Sequence, residues 1–466
     1  MILIYFCLLL FNILLYNTVP QRLDSTYMLV CLILAILSIT LFCYSSKYGR
    51  WNMQKIYMRH SVYFILCYFI VFYQCDIDYI VGFSDEEDEY IWYGGITAVK
   101  SMVLSNIGLL GLILGYRYGQ FSEKSNKIIT VSHKYKYPNK IVLNWLAFFL
   151  LLIYIIFVPK EFLSNGYTRG IESGPINNIM SYIIAVFISI ITLYSLEIKY
   201  SKSSSWLYEM RFPIMMISAY VILVLITGRR TEAIRIVVAL LISYMYCRSG
   251  NINYKRILIC GFLGLSLFSL VGIYRTLESG SIDDGIQTIK DTYSIMPVTR
   301  ELANSVNTLH IAMSYYPDKI DYTYGETFFP GFLKLIPGLS YIYSQLFVPN
   351  GVDIESDMII SKLYFGKDVL WGLGSSMNAD IYIAFGPIGV YIILILLGYF
   401  LRYLERETFC NNCSAYVLAL SFGCYSQFIY CCRQSIPTLF ICWTYSCILI
   451  YLVSKPKNKK IRTYEN

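Results

Sequence analysis

Residues 27–45 read YMLVCLILAILSITLFCYS, a run with no charged side chain. As a helix rising 1.5 Å per residue, it spans about 28 Å, close to the roughly 30 Å of hydrocarbon in a bilayer. Backbone N–H and C=O groups in lipid must be satisfied within their own segment, so the run predicts a transmembrane helix. Similar runs recur at 1–16, 61–77, 96–115, 141–159, 177–198, 212–228, 232–247, 257–274, 379–400, 414–432 and 437–454. Together they predict an all-α, polytopic integral membrane protein of about 12 transmembrane helices. Composition agrees: 56% of the 466 residues are hydrophobic and only 15% are charged, against roughly 25% charged in a soluble domain. The first run has no basic region before it and no small-residue cleavage site, so it reads as a retained helix.

The formal charge of +8 does not point to nucleic acid, because the basic residues fall in short loops between apolar runs. Of the 38 Lys and Arg, 23 lie in alternate connections and the tail, beginning with Lys47, Arg50, Lys55 and Arg59. The opposite short loops hold six: Arg22, Lys160, Arg169, Arg229, Arg230 and Arg433. By the positive-inside rule this bias predicts cytoplasmic termini. The 14 cysteines lie mostly within apolar runs and read as small hydrophobes rather than a disulfide framework. Cys410 and Cys413 form a CxxC without a second ligand pair, so no metal site is expected.

Three regions follow: 1–274 with helices one to nine, 275–378 as one long loop, and 379–466 with helices ten to twelve and a basic tail. The charge bias places the long loop on the outer, periplasmic face of a bacterial inner membrane. Loops of that length are usually functional. Leu302, Val306, Leu309, Met313 and Tyr316 recur at helical spacing and predict an amphipathic helix over 298–317. The stretch FFPGFLKLIPGLSYIYSQLF at 328–347, broken by Pro330 and Pro337, predicts short interfacial helices, and 354–365 another short helix. No internal repeat is present. Walker, HExxH and strand-borne GxGxxG motifs are missing too, as is a DxD-type nucleotide-sugar motif in a soluble domain, which argues against a cytoplasmic nucleotide-using enzyme.

The segment GLGSSMNADIYIAFGPIGVYI at 372–392 resembles the passage from the large loop into the next helix in O-antigen polymerases. The matching positions are Gly372, Gly374, Ser376, Asp380, Tyr382, Phe385, Gly386 and Gly389, with Asp380 where that family commonly has Glu. TGRRTEAIR at 227–235 and FFPGFLKLIPG are similar to further family segments. The resemblance implies a GT-C-like membrane glycosyltransferase of the Wzy type. Its donor and acceptor would be undecaprenyl-diphosphate-linked oligosaccharides, with no nucleotide sugar, no cofactor and no catalytic metal. It also implies membrane lipids and a chain-length regulator protein as partners, and no nucleic acid.

Such a reaction needs cations for the departing diphosphate, and the planar fork of arginine suits phosphate oxygens. Arg229, Arg230 and Arg235 fall at the outer ends of adjoining helices, with Arg275 and Arg300 as further candidates. Arg235 falls about one turn inside the boundary, where an ionisable group is a functional hypothesis by default. Its plainer reading is outward snorkelling or pairing with Glu232. For a general base the candidates are His310 and the carboxylates Glu301, Glu326 and Asp380. Asp380 equally suits a helix cap, and His310 a packed core position. A lipid-linked oligosaccharide flippase and an O-antigen ligase are the rival readings. A flippase would want polar residues along many helices and no long outer loop.

Overall fold

The computed structural model describes residues 2–20, 22–46, 59–84, 95–125, 140–157, 174–201, 205–226, 230–248, 294–296, 299–336, 338–348, 354–366, 372–409, 413–428 and 430–453. All secondary structure among these residues is helical. The first eight helices longer than one turn are α1 (Ile2–Asn17), α2 (Ser25–Ser46), α3 (His60–Val81), α4 (Gly95–Ser125), α5 (Lys140–Phe157), α6 (Gly174–Ser201), α7 (Arg211–Ile226) and α8 (Arg230–Cys247). The long loop contributes α9 (Val306–Tyr315), α10 (Leu339–Phe347) and α11 (Ser356–Phe365), and α12 (Met377–Thr408), α13 (Ala415–Gln427) and α14 (Ile436–Val453) complete the chain.

Six helices among the described residues contain stretches long and apolar enough to cross a membrane: Ser25–Tyr44, His60–Val81, Ile96–Gln120, Met180–Lys199, Met377–Thr408 and Ile436–Val453. Shorter apolar helices cover Leu3–Asn17, Ile141–Ile156 and Arg211–Ile226. The expected ninth span at 257–274 lies outside the described residues. The run at 414–432 is not one helix: α13 stops at Gln427, and a turn of 3-10 helix, Cys431–Arg433, leads into α14. A Gln434 side-chain N–H donates to Gln427 Oε1 at 3.3 Å across that turn.

α4 and α12 run parallel at the centre, and their backbones touch. A Cβ on Gly115 would stand 1.9 Å from the carbonyl oxygen of Ile395, and one on Gly398 would stand 2.0 Å from that of Leu112. Gly111, four residues before Gly115, similarly faces the Tyr391 carbonyl. Small residues every fourth position let two helices in lipid approach closely, where dispersion and weak Cα–H···O contacts replace the missing hydrophobic drive.

Buried polar side chains tie other helices to this pair. Asn106 of α4 accepts the Tyr73 hydroxyl at 2.7 Å and donates to the Cys31 carbonyl at 2.9 Å. Asn378 of α12 donates to the Tyr68 hydroxyl at 2.8 Å, which in turn donates to the Ser105 carbonyl at 2.9 Å. Near the far end of α12, buried Glu405 accepts the backbone N–H of Ser61 at 2.8 Å and its hydroxyl at 2.7 Å, and also the Tyr116 hydroxyl. Each bond satisfies a group that would be costly to leave unpaired away from water.

The glycine contact gives an internal comparison. Gly115→Ala drives a methyl group into a backbone carbonyl. Gly119→Ala meets side-chain atoms instead, Arg402 Cγ at 3.0 Å, Arg402 Cβ at 3.2 Å and Tyr399 Cδ2 at 3.5 Å from the added carbon. Thermal unfolding in detergent should show Gly115→Ala destabilised by about 1–3 kcal/mol or more and Gly119→Ala destabilised clearly less. Equal midpoints for the two variants would contradict the backbone contact.

Candidate functional site

The long loop is fastened to the bundle at three places, and the polar groups gather between them. The first is the end of α3. Buried Asp78 accepts the Ser294 hydroxyl at 2.7 Å and the Ile295 N–H at 2.8 Å, and pairs with Arg300 at 2.8 Å. Gln74, one turn earlier, donates to the Met296 carbonyl at 2.9 Å and accepts the Thr299 hydroxyl at 2.7 Å. Arg300, expected at the diphosphate, is therefore engaged with Asp78.

The second fastening is the N-terminus of α12. Ser376 caps that helix, its hydroxyl accepting the Ala379 N–H at 3.4 Å. Thr308 of α9 donates its hydroxyl to Ser376 Oγ at 2.9 Å and accepts the Ser376 N–H at 2.9 Å. The amphipathic helix expected over 298–317 is broken into Arg300–Ala303 and Val306–Tyr315. Its apolar stripe, Leu302, Val306, Leu309, Met313 and Tyr316, is buried as the spacing requires.

The third is a kink. Gly386 in α12 adopts φ 67° and ψ −163°, and Pro387 follows it. Proline has no N–H to donate four residues back, which frees the carbonyl of Ile383. The Thr323 N–H from the loop takes that acceptor at 3.0 Å. Tyr322 lies against the kink, 2.8 Å from where a Gly386 Cβ would sit, and its ring packs edge-on against Tyr382 at 5.7 Å. Only glycine meets both the backbone angle and the space.

Between these points stand the carboxylates. Asp380, on the first turn of α12, is fully enclosed and lies beside Ser356 of α11. It does not cap its own helix. Its Oδ2 accepts the Ile436 N–H at 3.1 Å, so it caps the first turn of α14. Glu301 is 43% exposed and faces Arg433 at 3.4 Å. Glu326 is exposed at the start of a short 3-10 turn. His310 is buried in α9, and burial pushes its imidazole down to about 3, which makes it a weak base at neutral pH.

Among the arginines, Arg229 and Arg275 lie outside the described residues, as does the side chain of Arg230 at the start of α8. Arg235 is half-buried and turned inward. Its guanidinium reaches Cys442 of α14, while its Nε is enclosed without a hydrogen-bond partner. Cys442 lies six residues beyond the Asp380-capped end of α14, about 9 Å along the axis. Sequence reasoning missed Arg433, counting it only as a loop charge. Its signal was its place in a short polar turn, CCRQS, between two apolar runs.

A model of the family O-antigen polysaccharide polymerase Wzy matches residues 1–460. The chain belongs to that family, whose role is O-antigen polymerisation, and its long apolar helices fit an integral membrane protein. No curated protein and no solved structure matches.

The enclosure of His310 has a consequence in acid. Its folded pKa, about 3, lies below the ordinary 6.5, so the fold favours the neutral ring. Stability from this site is complete above pH 6.5 and declines as pH falls from there toward 3. Unfolding midpoints measured from pH 7.5 to 4.5 should fall less in His310→Gln than in wild type. Parallel curves would show that the ring is already solvated in the folded protein.

Proposed function

We propose that this chain polymerises undecaprenyl-diphosphate-linked oligosaccharide repeat units at the periplasmic face of the inner membrane. In that reaction the glycosyl–diphosphate bond of one lipid-linked chain breaks, and a glycosidic bond forms to a hydroxyl of another lipid-linked unit. The hydroxyl proton passes to a carboxylate, and the diphosphate leaves with its carrier. Membrane lipids surround the site, and a chain-length regulator is the expected protein partner. The basic residues concentrated in alternate loops support the orientation, with both termini cytoplasmic.

The observation that carries the reading is Arg235. A half-buried guanidinium with an enclosed, unpartnered Nε, directed between helices rather than to lipid, is costly unless a ligand completes it. A diphosphate supplies that complement, since arginine pairs with two of its oxygens at once. Arg433 adds positive charge near the same end of the bundle, and Arg229, Arg230 and Arg275 remain candidates on the sequence alone. Arg300 acts first through Asp78, holding the loop in place.

Glu301 is the favoured proton acceptor because it is partly exposed and stands beside Arg433. Asp380 then works as a positioning residue through α14. Glu326 is solvent-facing, and His310 is buried and too weak a base.

Deletion of the gene, followed by gel analysis of surface polysaccharide, tests the reading. A polymerase leaves a single repeat unit on the lipid core. A ligase leaves bare core with lipid-linked polymer, and a flippase leaves bare core with neither.

Within the polymerase, Arg235→Ala should cut polymerisation by about one to two decades, the loss of a charge-assisted contact worth roughly 1.5–3 kcal/mol. Arg235→Lys should also impair it, since lysine lacks the fork. Glu301→Gln should lower the rate, whereas Asp380→Asn keeps an acceptor for Ile436 and should leave insertion normal. A wild-type ladder from both Arg235 variants, at normal protein level, would exclude this arginine from the diphosphate.

A further inference from the structure

Away from the loop-end charges, three cysteines converge. Cys67 belongs to α3, and Cys431 and Cys432 open the turn between α13 and α14; all three are buried. Their sulfurs lie within 4.8 Å of one another, with Cys431 Sγ 3.7 Å from Cys432 Sγ. A metal ion bound by thiolates at about 2.3 Å spaces its ligand sulfurs about 3.8–4.0 Å apart. The trio therefore needs to close by only about 1 Å or less to hold an ion at its centre.

We propose that Cys67, Cys431 and Cys432 form a binding site for one soft, monovalent d10 metal ion, Cu(I) by its chemistry, which fastens α3 to the α13–α14 turn. Thiol ligands select Cu(I), zinc and iron–sulfur clusters over hard cations. Zinc prefers four tetrahedral ligands, and among the described residues no fourth Cys, His, Asp or Glu joins the group. A monovalent d10 ion is satisfied by two or three sulfurs. Charge favours the same choice. Two cysteines each release a proton as they bind, while the third sulfur stays protonated, and the buried site then carries a single negative charge. Deprotonating all three around Cu(I) would leave two, at a higher desolvation cost.

The fastening has structural reach. Arg433 follows Cys432 directly and faces Glu301 of the long loop, so an ion in the thiol cluster would fix the turn that presents Arg433. The metal site is inferred from sulfur geometry alone and stands or falls separately from the polymerase reading.

The test uses the full chain, purified in detergent and reduced under anaerobic conditions. It is titrated with Cu(I) against bicinchoninate, a colorimetric Cu(I) chelator. Wild type should retain one equivalent of copper and gain near-ultraviolet thiolate-to-copper absorption, with X-ray absorption reporting two or three sulfur neighbours. Cys67→Ser with Cys432→Ser should lose that equivalent, and Cys432→Ser alone should weaken it at least tenfold. Cys31→Ser, at a buried cysteine outside the cluster, should leave it intact. Wild-type protein that yields all its copper to the chelator overturns the proposal. So does a spectrum dominated by nitrogen or oxygen neighbours, or a double variant that binds as wild type does.

Discussion

The structure depends on a contact between two backbones. Where Gly115 of α4 meets Ile395 of α12, and Gly398 meets Leu112, no side chain stands between the helices. That contact sets the position and rotation of α12, and α12 carries most of what the loop end needs. Its first turn presents Asp380 to α14, its N-cap engages α9, and its kink offers a free carbonyl to Thr323. A shift of α12 would move all three together. The same close approach explains why the polar ties made by Asn106, Asn378 and Glu405 cluster around α3, α4 and α12. Hydrogen bonds between buried side chains tolerate little change in helix separation.

The loop end separates two kinds of charge. Asp78 with Arg300, and Asp380 with the α14 N-terminus, are buried polar groups with near neighbours, and removing one partner would leave the other unsatisfied. Glu301 with Arg433 is looser and more exposed, a pairing that contributes little to stability and is easily reopened by a substrate. Arg235 fits neither kind, because its Nε is enclosed and unpartnered. Rigid pairs that hold the loop, beside looser and unfinished ones, are the arrangement expected where a site must be both positioned and receptive.

Much of the fold was legible in the sequence because lipid imposes a simple rule on it: long apolar runs must be helices. The apolar stripe of 302–316 and the glycines of 372–392 were legible for similar reasons of periodicity and backbone geometry. The direction of Arg235 was not, since rotation of α8 depends on packing against α6 and α13 that no local pattern encodes. Asp380 was legible as a cap but not as the cap of a different helix. Cys67 and the Cys431–Cys432 pair lie far apart in the chain, so only the fold brings their sulfurs together. Arg300 read as a free cation because its partner, Asp78, sits at the far end of an early helix.

The glycine contact also imposes an order on biosynthesis. The α4 surface that receives α12 is complete once residue 119 has been made, yet its partner begins only after residue 376. At translation rates of about 5–20 residues per second, the interval between Gly115 and Ile395 lasts roughly 15–60 s. Throughout that time a strip of bare backbone on a central helix faces lipid or an incorrect neighbour. Helices α1 and α2 are already made and pack against α4, so they are placed to shelter part of its surface while the rest of the chain is inserted. The late helix then closes a groove that the early chain has held open.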